Sequence, residues 1–269
     1  MDPTKRLAGQ VAIVTGAGRG IGRGYALRLA QLGAAVAVVD VDLRSHEQFE
    51  EERALMTAAS TADEVAALGV PVLALEADLT DAAAARAMVA QVDAAWGRID
   101  VCVCNAGGGT GAMTENAASS IDPMQLESVL ARNLSTTVNT CTPVVEVMRR
   151  RGSGKIVTVS STAGTAPRRD GGYAHYGAAK AAVVMYTRYL AQELGPEGIT
   201  ANAIAPGAIG TGRLLPKMRA LGMDGIVSGI ALRRLGTIDD CAGALEFLAT
   251  ELSDYLTGQV LAVDGGLLA

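Results

Sequence analysis

Large aromatic side chains are scarce in this chain: its 269 residues include two Phe and one Trp. With 49% hydrophobic residues and 32 Gly, the interior must be built from small aliphatics, which suits Val/Ala/Ile strands packed tightly under helices. A basic surplus is also missing. Lys and Arg number 23 against 28 Asp and Glu, a formal net charge of −5, so nothing invites nucleic acid or an anionic membrane. No apolar run approaches the ~18–20 residues that span a bilayer. The opening MDPTKRLAGQ lacks the apolar stretch of a secretory signal, and a cytoplasmic protein without a membrane partner is expected. His46 and His175 are the only histidines. Neither has ligand-like spacing to Cys102, Cys104, Cys141 or Cys241, so buried reduced thiols and no metal site are expected.

What the chain does have is alternation. Short, almost continuously apolar runs at 11–15, 35–39, 72–75, 101–104, 155–159, 200–204 and 259–263 read as strands covered on both faces. Longer amphipathic stretches with helix-start signals lie between them. Asp122-Pro123-Met124-Gln125 offers a cap, a proline at the first helical position and Gln three after the cap. Thr61-x-x-Glu64 and Thr237-x-x-Asp240 read similarly, the second with Asp filling the box role loosely. Seven strands alternating with helices, without a linker, predict one doubly wound α/β domain spanning residues 1–269.

Two motifs carry chemistry. The first strand runs into Thr15-Gly16-Ala17-Gly18-Arg19-Gly20-Ile21-Gly22 and then a helix, a turn where glycines allow close backbone approach and helix N–H groups face a pyrophosphate. The spacing is T-G-x-x-x-G-x-G and fits no register of G-x-G-x-x-G. Tyr176-Gly-Ala-Ala-Lys180 places a phenol and an ammonium one helical turn apart. A fixed positive charge there favours the phenolate, which a free tyrosine near pKa ~10 does not form at neutral pH. The residues four after Tyr25, Tyr173, Tyr186, Tyr189 and Tyr255 are Leu29, Gly177, Leu190, Glu193 and Gln259. Only Tyr176 has a lysine partner.

Together with Cys104-Asn105-Ala106-Gly107, Asp78-Leu79, Asn133, Ser160-Ser161 before Gly164, Pro206-Gly207-x-x-x-Thr211 and Asp264-Gly265-Gly266, these motifs resemble the short-chain dehydrogenase/reductase family in its compact branch. The resemblance runs from about Leu7 to the C-terminus. It implies a Rossmann-type parallel sheet of seven strands ordered 3-2-1-4-5-6-7, with NAD-dependent interconversion of a secondary alcohol and a ketone. Tyr176 would be the general acid/base, Lys180 would lower its pKa and hold the nicotinamide ribose, Ser161 would stabilise the developing oxyanion, and Asn133 would anchor a water in the proton relay. Gly16, Arg19, Gly20, Ile21, Gly22, Asp78, Leu79, Asn105, Ala106, Gly107, Pro206, Gly207, Ile209 and Thr211 would line the cofactor, with Asp78 also readable as a turn residue ahead of Thr80. A homotetramer is implied as well.

Cofactor choice rests on two residues that disagree. Asp40 ends the second strand, 18 residues after Gly22, where a carboxylate accepts ribose hydroxyls and repels a 2′-phosphate. Arg19 is a basic residue of the sort found in NADP-using relatives. A carboxylate facing a dianion costs more than a flexible, exposed Arg gains, so NAD is expected over NADP.

Two segments exceed the minimal plan. Residues 41–60 lengthen the link after Asp40; they are acidic, partly helical and anchored by Phe49, Leu55 and Met56, as either a solvated surface insertion or partial cover over the adenine end. Residues 210–234 would form a lid whose apolar side (Leu214, Leu215, Met218, Leu221, Met223) suits a hydrophobic substrate, though those side chains could equally be core. Two other readings stay open: a redox enzyme with tightly held NAD serving a carrier such as mycofactocin, and a noncatalytic NAD-binding regulator.

Overall fold

The computed structural model describes residues 5–267; the side chains of Lys217 and Leu221 also lie outside the described set. Seven parallel strands form one sheet in the order β3-β2-β1-β4-β5-β6-β7. They are β1 (Val11–Thr15), β2 (Ala35–Asp40), β3 (Val72–Glu76), β4 (Val101–Cys104), β5 (Gly154–Val159), β6 (Ile199–Pro206) and β7 (Val260–Val263). The expected strands are all present, β1 and β4 with the expected ends and the others with ends shifted by at most two residues.

Period-two alternation explains the two cores. In β1 and β2, Ala12, Val14, Val36 and Val38 face one side, packing on Tyr25, Leu29 and Leu245. Val11, Ile13, Ala37 and Val39 face the other, against Met88, Val92 and Val144. Each buried Val or Ile contributes roughly 1.5–3 kcal/mol, which compensates for the few aromatics. The covering helices are α1 (Gly20–Gln31), α2 (Glu50–Leu55), α3 (Thr61–Ala67), α4 (Ala82–Trp96), α5 (Pro123–Leu130), α6 (Thr136–Arg149), α7 (Ala174–Leu194), α8 (Leu215–Leu221), α9 (Met223–Ser228) and α10 (Ile238–Ala249). No described helix is long and apolar enough to cross a membrane.

The caps correct the reading in detail. Asp122 caps α5 with its carboxylate on the Met124 N–H, but Gln125 accepts from Asn116 and closes no box. The cap of α3 is Ser60, accepting from the Asp63 N–H, while Thr61 donates to the Gly18 carbonyl. Thr237 and Asp240 form a complete reciprocal box at α10. All four cysteines are buried with free thiols; Cys102, Cys104 and Cys141 sit in a row at 3.8 and 3.6 Å.

Residues 41–60 differ most from expectation. They contain a short 3₁₀ turn, Ser45–Gln48, followed by α2. The buried residues are polar, namely Ser45, His46 and Glu52, while Leu55 is 48% exposed. Leu55 anchors through its backbone, its carbonyl accepting from Arg23 at 2.9 Å. α2 leans on the turn after β1 and on the loop after β6 because Gly20 and Gly212 leave it room: Glu52 Oε2 accepts the Gly20 N–H at 3.1 Å, and a Cβ on Gly212 would meet Glu52 Cγ at 2.7 Å. Glu51 pairs with Arg219 of α8 at 3.4 Å.

Candidate active site

The carboxyl ends of β1, β2, β4, β5 and β6 open onto one cleft of about 1440 Å³, the location open parallel sheets provide for ligands. One end is lined by Asp40, Asp78 and Leu79, the middle by Gly16, Arg19, Gly20, Ile21, Gly22, Asn105, Ala106 and Thr211, and the other end by Gly107, Ser161, Tyr176, Lys180, Pro206, Gly207 and Ile209. Of the catalytic and cofactor-lining residues expected from the sequence, Asn133 alone lies outside this lining. It is buried directly behind it.

Close packing at the floor depends on missing side chains. A Cβ on Gly16 would lie 2.8 Å from the Ala106 Cα, and one on Gly22 would lie 2.0 Å from the Gly16 carbonyl oxygen. Asn105 ties the two turns together, donating to the Thr15 and Gly16 carbonyls at 3.0 Å each. Thr15 Oγ1 accepts the N–H groups of Asn105 and Ala106, both at 3.0 Å. The resulting glycine-lined cradle beside the N-terminus of α1 fits an extended, pyrophosphate-bearing dinucleotide.

At the Asp40 end, the carboxylate accepts from the Gly18 N–H at 2.8 Å and from the Asp42 N–H at 3.3 Å. Burial raises its pKa, and these bonds with Arg19 pull it back. Asp78 accepts from the Thr80 N–H and hydroxyl at 2.9 and 2.7 Å, which lowers its pKa, so it is at once a turn residue and part of the lining. Arg19 is not the exposed, flexible group the sequence suggested. It is half-buried with its guanidinium carbon 4.8 Å from the Phe49 ring centre, because α2 brings that ring over it.

At the opposite end, α7 presents Tyr176 and Lys180. Burial is the largest influence on Tyr176 and pushes it up to about 12, with Tyr173 adding to the rise; Ser161 and Arg213 act in the lowering direction. Lys180 is 3% exposed and donates to the Val159 carbonyl at 2.7 Å. Burial, assisted by Arg213, brings its pKa down to about 7. Desolvation disfavours the charged form of both groups, and Nζ lies 5.8 Å from the phenol ring centre.

Ser161 caps a short turn, accepting the Ala163 N–H at 3.2 Å, and lines the cleft. Ser160 points into the core and donates to the Lys180 carbonyl at 2.9 Å. Asn133 lies in a π-helical turn, Ala131–Ser135, between α5 and α6, a distortion that often marks functional positions. Its Oδ1 accepts the Gly108 N–H at 2.9 Å and its Nδ2 donates to the Gly108 and Val129 carbonyls at 3.0 and 2.8 Å. A Cβ on Gly107 would come within 2.5 Å of Asn133 Oδ1 and 3.4 Å of Lys180 Nζ.

Two lining residues carry more weight than the sequence indicated. Tyr173 sits at φ 61°, held by its N–H to the Glu115 carbonyl at 2.8 Å, and its ring centre is 5.0 Å from that of Tyr176. Arg213 reaches Gly108, where a Cβ would meet its guanidinium at 2.9 Å, and its charge bears on Arg19, Tyr173, Tyr176 and Lys180. Its position two residues after Thr211 was the only sequence signal for it. Residues 168–172 pack on the loop after β4, with the Ala118 N–H on the Gly171 carbonyl at 3.1 Å. In the 210–234 segment, Leu214 and Met218 line the cleft, Leu215 and Met223 do not, and the Leu221 side chain lies outside the described residues.

A doubly wound parallel sheet with a tyrosine, lysine and serine at the carboxyl end of its central strands defines a Rossmann-type α/β protein of the dehydrogenase kind. A family model described as enoyl-(acyl carrier protein) reductase matches residues 16–268, and the chain belongs to the short-chain dehydrogenase/reductase family. It is 51% identical to a cyclohexanol dehydrogenase of Rhodococcus sp. (strain TK6) over 261 residues, 97% of each chain. Among solved structures it resembles an NAD⁺-bound xylitol dehydrogenase (28% identity, TM-score 0.87, 97% of this chain and 100% of that one). It also resembles a Beutenbergia cavernae protein with NADP bound at low occupancy (36% identity, TM-score 0.84, 98% and 99%).

Proposed function

We propose that this chain is an NAD-dependent oxidoreductase that interconverts a secondary alcohol and its ketone. The observation that carries this reading is the convergence of Ser161, Tyr176 and Lys180 on one end of a cleft whose other end is Asp40. When bound, NAD supplies the hydride acceptor, or in NADH the donor, at C4 of its nicotinamide. Everything else falls to the protein. Tyr176 takes the hydroxyl proton during oxidation and returns it during reduction. Ser161 donates a hydrogen bond to the substrate oxygen as charge develops there. Lys180 holds the nicotinamide ribose and passes the proton onward, and Asn133 anchors the water that continues the relay while its side chain fixes the Gly107–Gly108 turn. Asp40 accepts from the adenosine ribose and disfavours a 2′-phosphate, so NAD is the working cofactor.

Substrate class follows from the lining and the relatives together. Met113, Leu214, Met218 and Ile226 give the substrate end apolar walls, and the likeness to cyclohexanol dehydrogenase makes alicyclic secondary alcohols the first to test. A screen of such alcohols with NAD, following NADH absorbance, tests the reading. A second reading draws on α2 seated over Gly20 and tied to α8: this cover slows cofactor exchange, and reducing equivalents leave through an external carrier such as mycofactocin. Multiple turnovers with free NAD and no carrier would exclude it. Residues 210–234 act as the substrate lid. A homotetramer in the cytoplasm completes the proposal.

A further inference from the structure

Arg19 and Asp40 make opposite demands at the adenosine ribose, since a guanidinium would welcome a 2′-phosphate that the carboxylate repels. The structure shows where Arg19 spends its charge. Its guanidinium lies over Phe49 at 4.8 Å, within cation–π range, and Glu52, Asp40 and Asp42 are the carboxylates whose charges act on it. Glu52 is 1% exposed and cannot swing out to solvent in place. One of its oxygens accepts the N–H of Gly20, the residue next to Arg19, and the other has no hydrogen-bond partner among the described residues.

Phe49, whose ring lies over Arg19, and Glu52, one of the three carboxylates whose charge acts on it, both come from residues 41–60, the segment in excess of a minimal strand connection. That segment is fastened on three sides. Leu55 is held by Arg23, Glu51 by Arg219, and the Glu52 backbone rests on Gly212, where a Cβ would come within 2.8 Å of its nitrogen. The Phe49 ring over Arg19 and the buried Glu52 carboxylate on the neighbouring Gly20 N–H are thereby fixed features of the fold.

We propose that residues 41–60 determine coenzyme choice by occupying Arg19 with Phe49 and Glu52, which withholds its guanidinium from a 2′-phosphate and leaves Asp40 in control of the ribose. This rests on the NAD reading above. The segment is thus a specificity element in addition to a cover, and it accounts for an arginine at position 19 in a protein built for the unphosphorylated cofactor.

The test is direct binding of NADH and NADPH to the full chain by fluorescence titration, which needs no substrate. The double variant Phe49→Ala/Glu52→Gln should bind NADPH about tenfold more tightly than the native protein, the scale of one charge-assisted hydrogen bond, with NADH affinity little changed. Adding Arg19→Ala should erase that gain. Phe49→Ala alone, at a half-buried position outside the two cores, should move NADPH in the same direction by less. Unaltered NADPH affinity in the double variant, or a gain that survives Arg19→Ala, overturns the proposal while native preference for NADH stands. Native protein that binds NADPH as tightly as NADH overturns the NAD reading itself, and this proposal with it.

Discussion

Lys180 Nζ lies 5.8 Å from the centre of the Tyr176 ring and donates to the Val159 carbonyl, so the two residues share a helix face without a direct bond. Both pay for burial, in opposite directions: Tyr176 rises to about 12 and Lys180 falls to about 7. Alcohol oxidation needs a deprotonated Tyr176, so its rate should climb with pH through the alkaline range. Ketone reduction needs the protonated phenol and should not share that rise. An oxidation rate flat from neutral to alkaline pH would argue against Tyr176 as the proton acceptor.

The lowered Lys180 also predicts a stability signature. An unfolded lysine keeps its proton up to about 10.4, whereas the folded one releases it near 7. Between those values the unfolded chain binds more protons, and stability rises with pH. Lys180→Met removes this dependence. The difference in melting temperature, variant minus native, should therefore be most favourable to the variant near pH 6 and shrink towards pH 10. A difference independent of pH would mean that Lys180 is not held against its charge.

Asp40→Ala should narrow the preference between NAD and NADP, chiefly by weakening NAD, since two ribose hydroxyls lose an acceptor. The expected loss is on the order of tenfold to a hundredfold in kcat/KM with NAD, the range of one or two hydrogen bonds to a charged group. Comparable kcat/KM with both cofactors in the native protein would reverse the ranking of Asp40 over Arg19.

The outer face of α7 carries an apolar stripe, with Ala178 and Ala181 exposed and Met185 and Tyr189 at 50% and 71% exposure. Met124 on the neighbouring α5 is exposed as well. Faces of this kind usually mark subunit contacts. Light scattering at micromolar concentration should return a tetramer, and Met185→Glu/Tyr189→Glu should lower the mass. A monomeric native protein would refute the assembly.

Most of the fold was legible because strands buried on both faces read as nearly unbroken runs of Val, Ile and Ala, and the order of the glycine turn, Asn105, Ser161 and Tyr176 fixes their places along the sheet. The sequence was less informative where a residue's role depends on its surroundings. Tyr176 and Lys180 have the right spacing, but spacing says nothing about desolvation, which raises the one and lowers the other. Arg213 belongs to no motif and is brought to Gly108 by the path of the loop after β6. Residues 41–60 carry no apolar periodicity because their contacts are polar: a carboxylate on the Gly20 N–H and a ring on Arg19.

The central claim is that Tyr176 moves the proton in an NAD-linked alcohol oxidation. Its most direct measurement is steady-state NADH formation from cyclohexanol and NAD by the native enzyme and by Tyr176→Phe, with NADH binding to both followed by fluorescence. The account predicts turnover by the native protein and a fall in kcat of at least ~10²-fold in the variant, the low end for loss of a positioned acid/base, with NADH affinity retained. Turnover by Tyr176→Phe close to that of the native enzyme would contradict it.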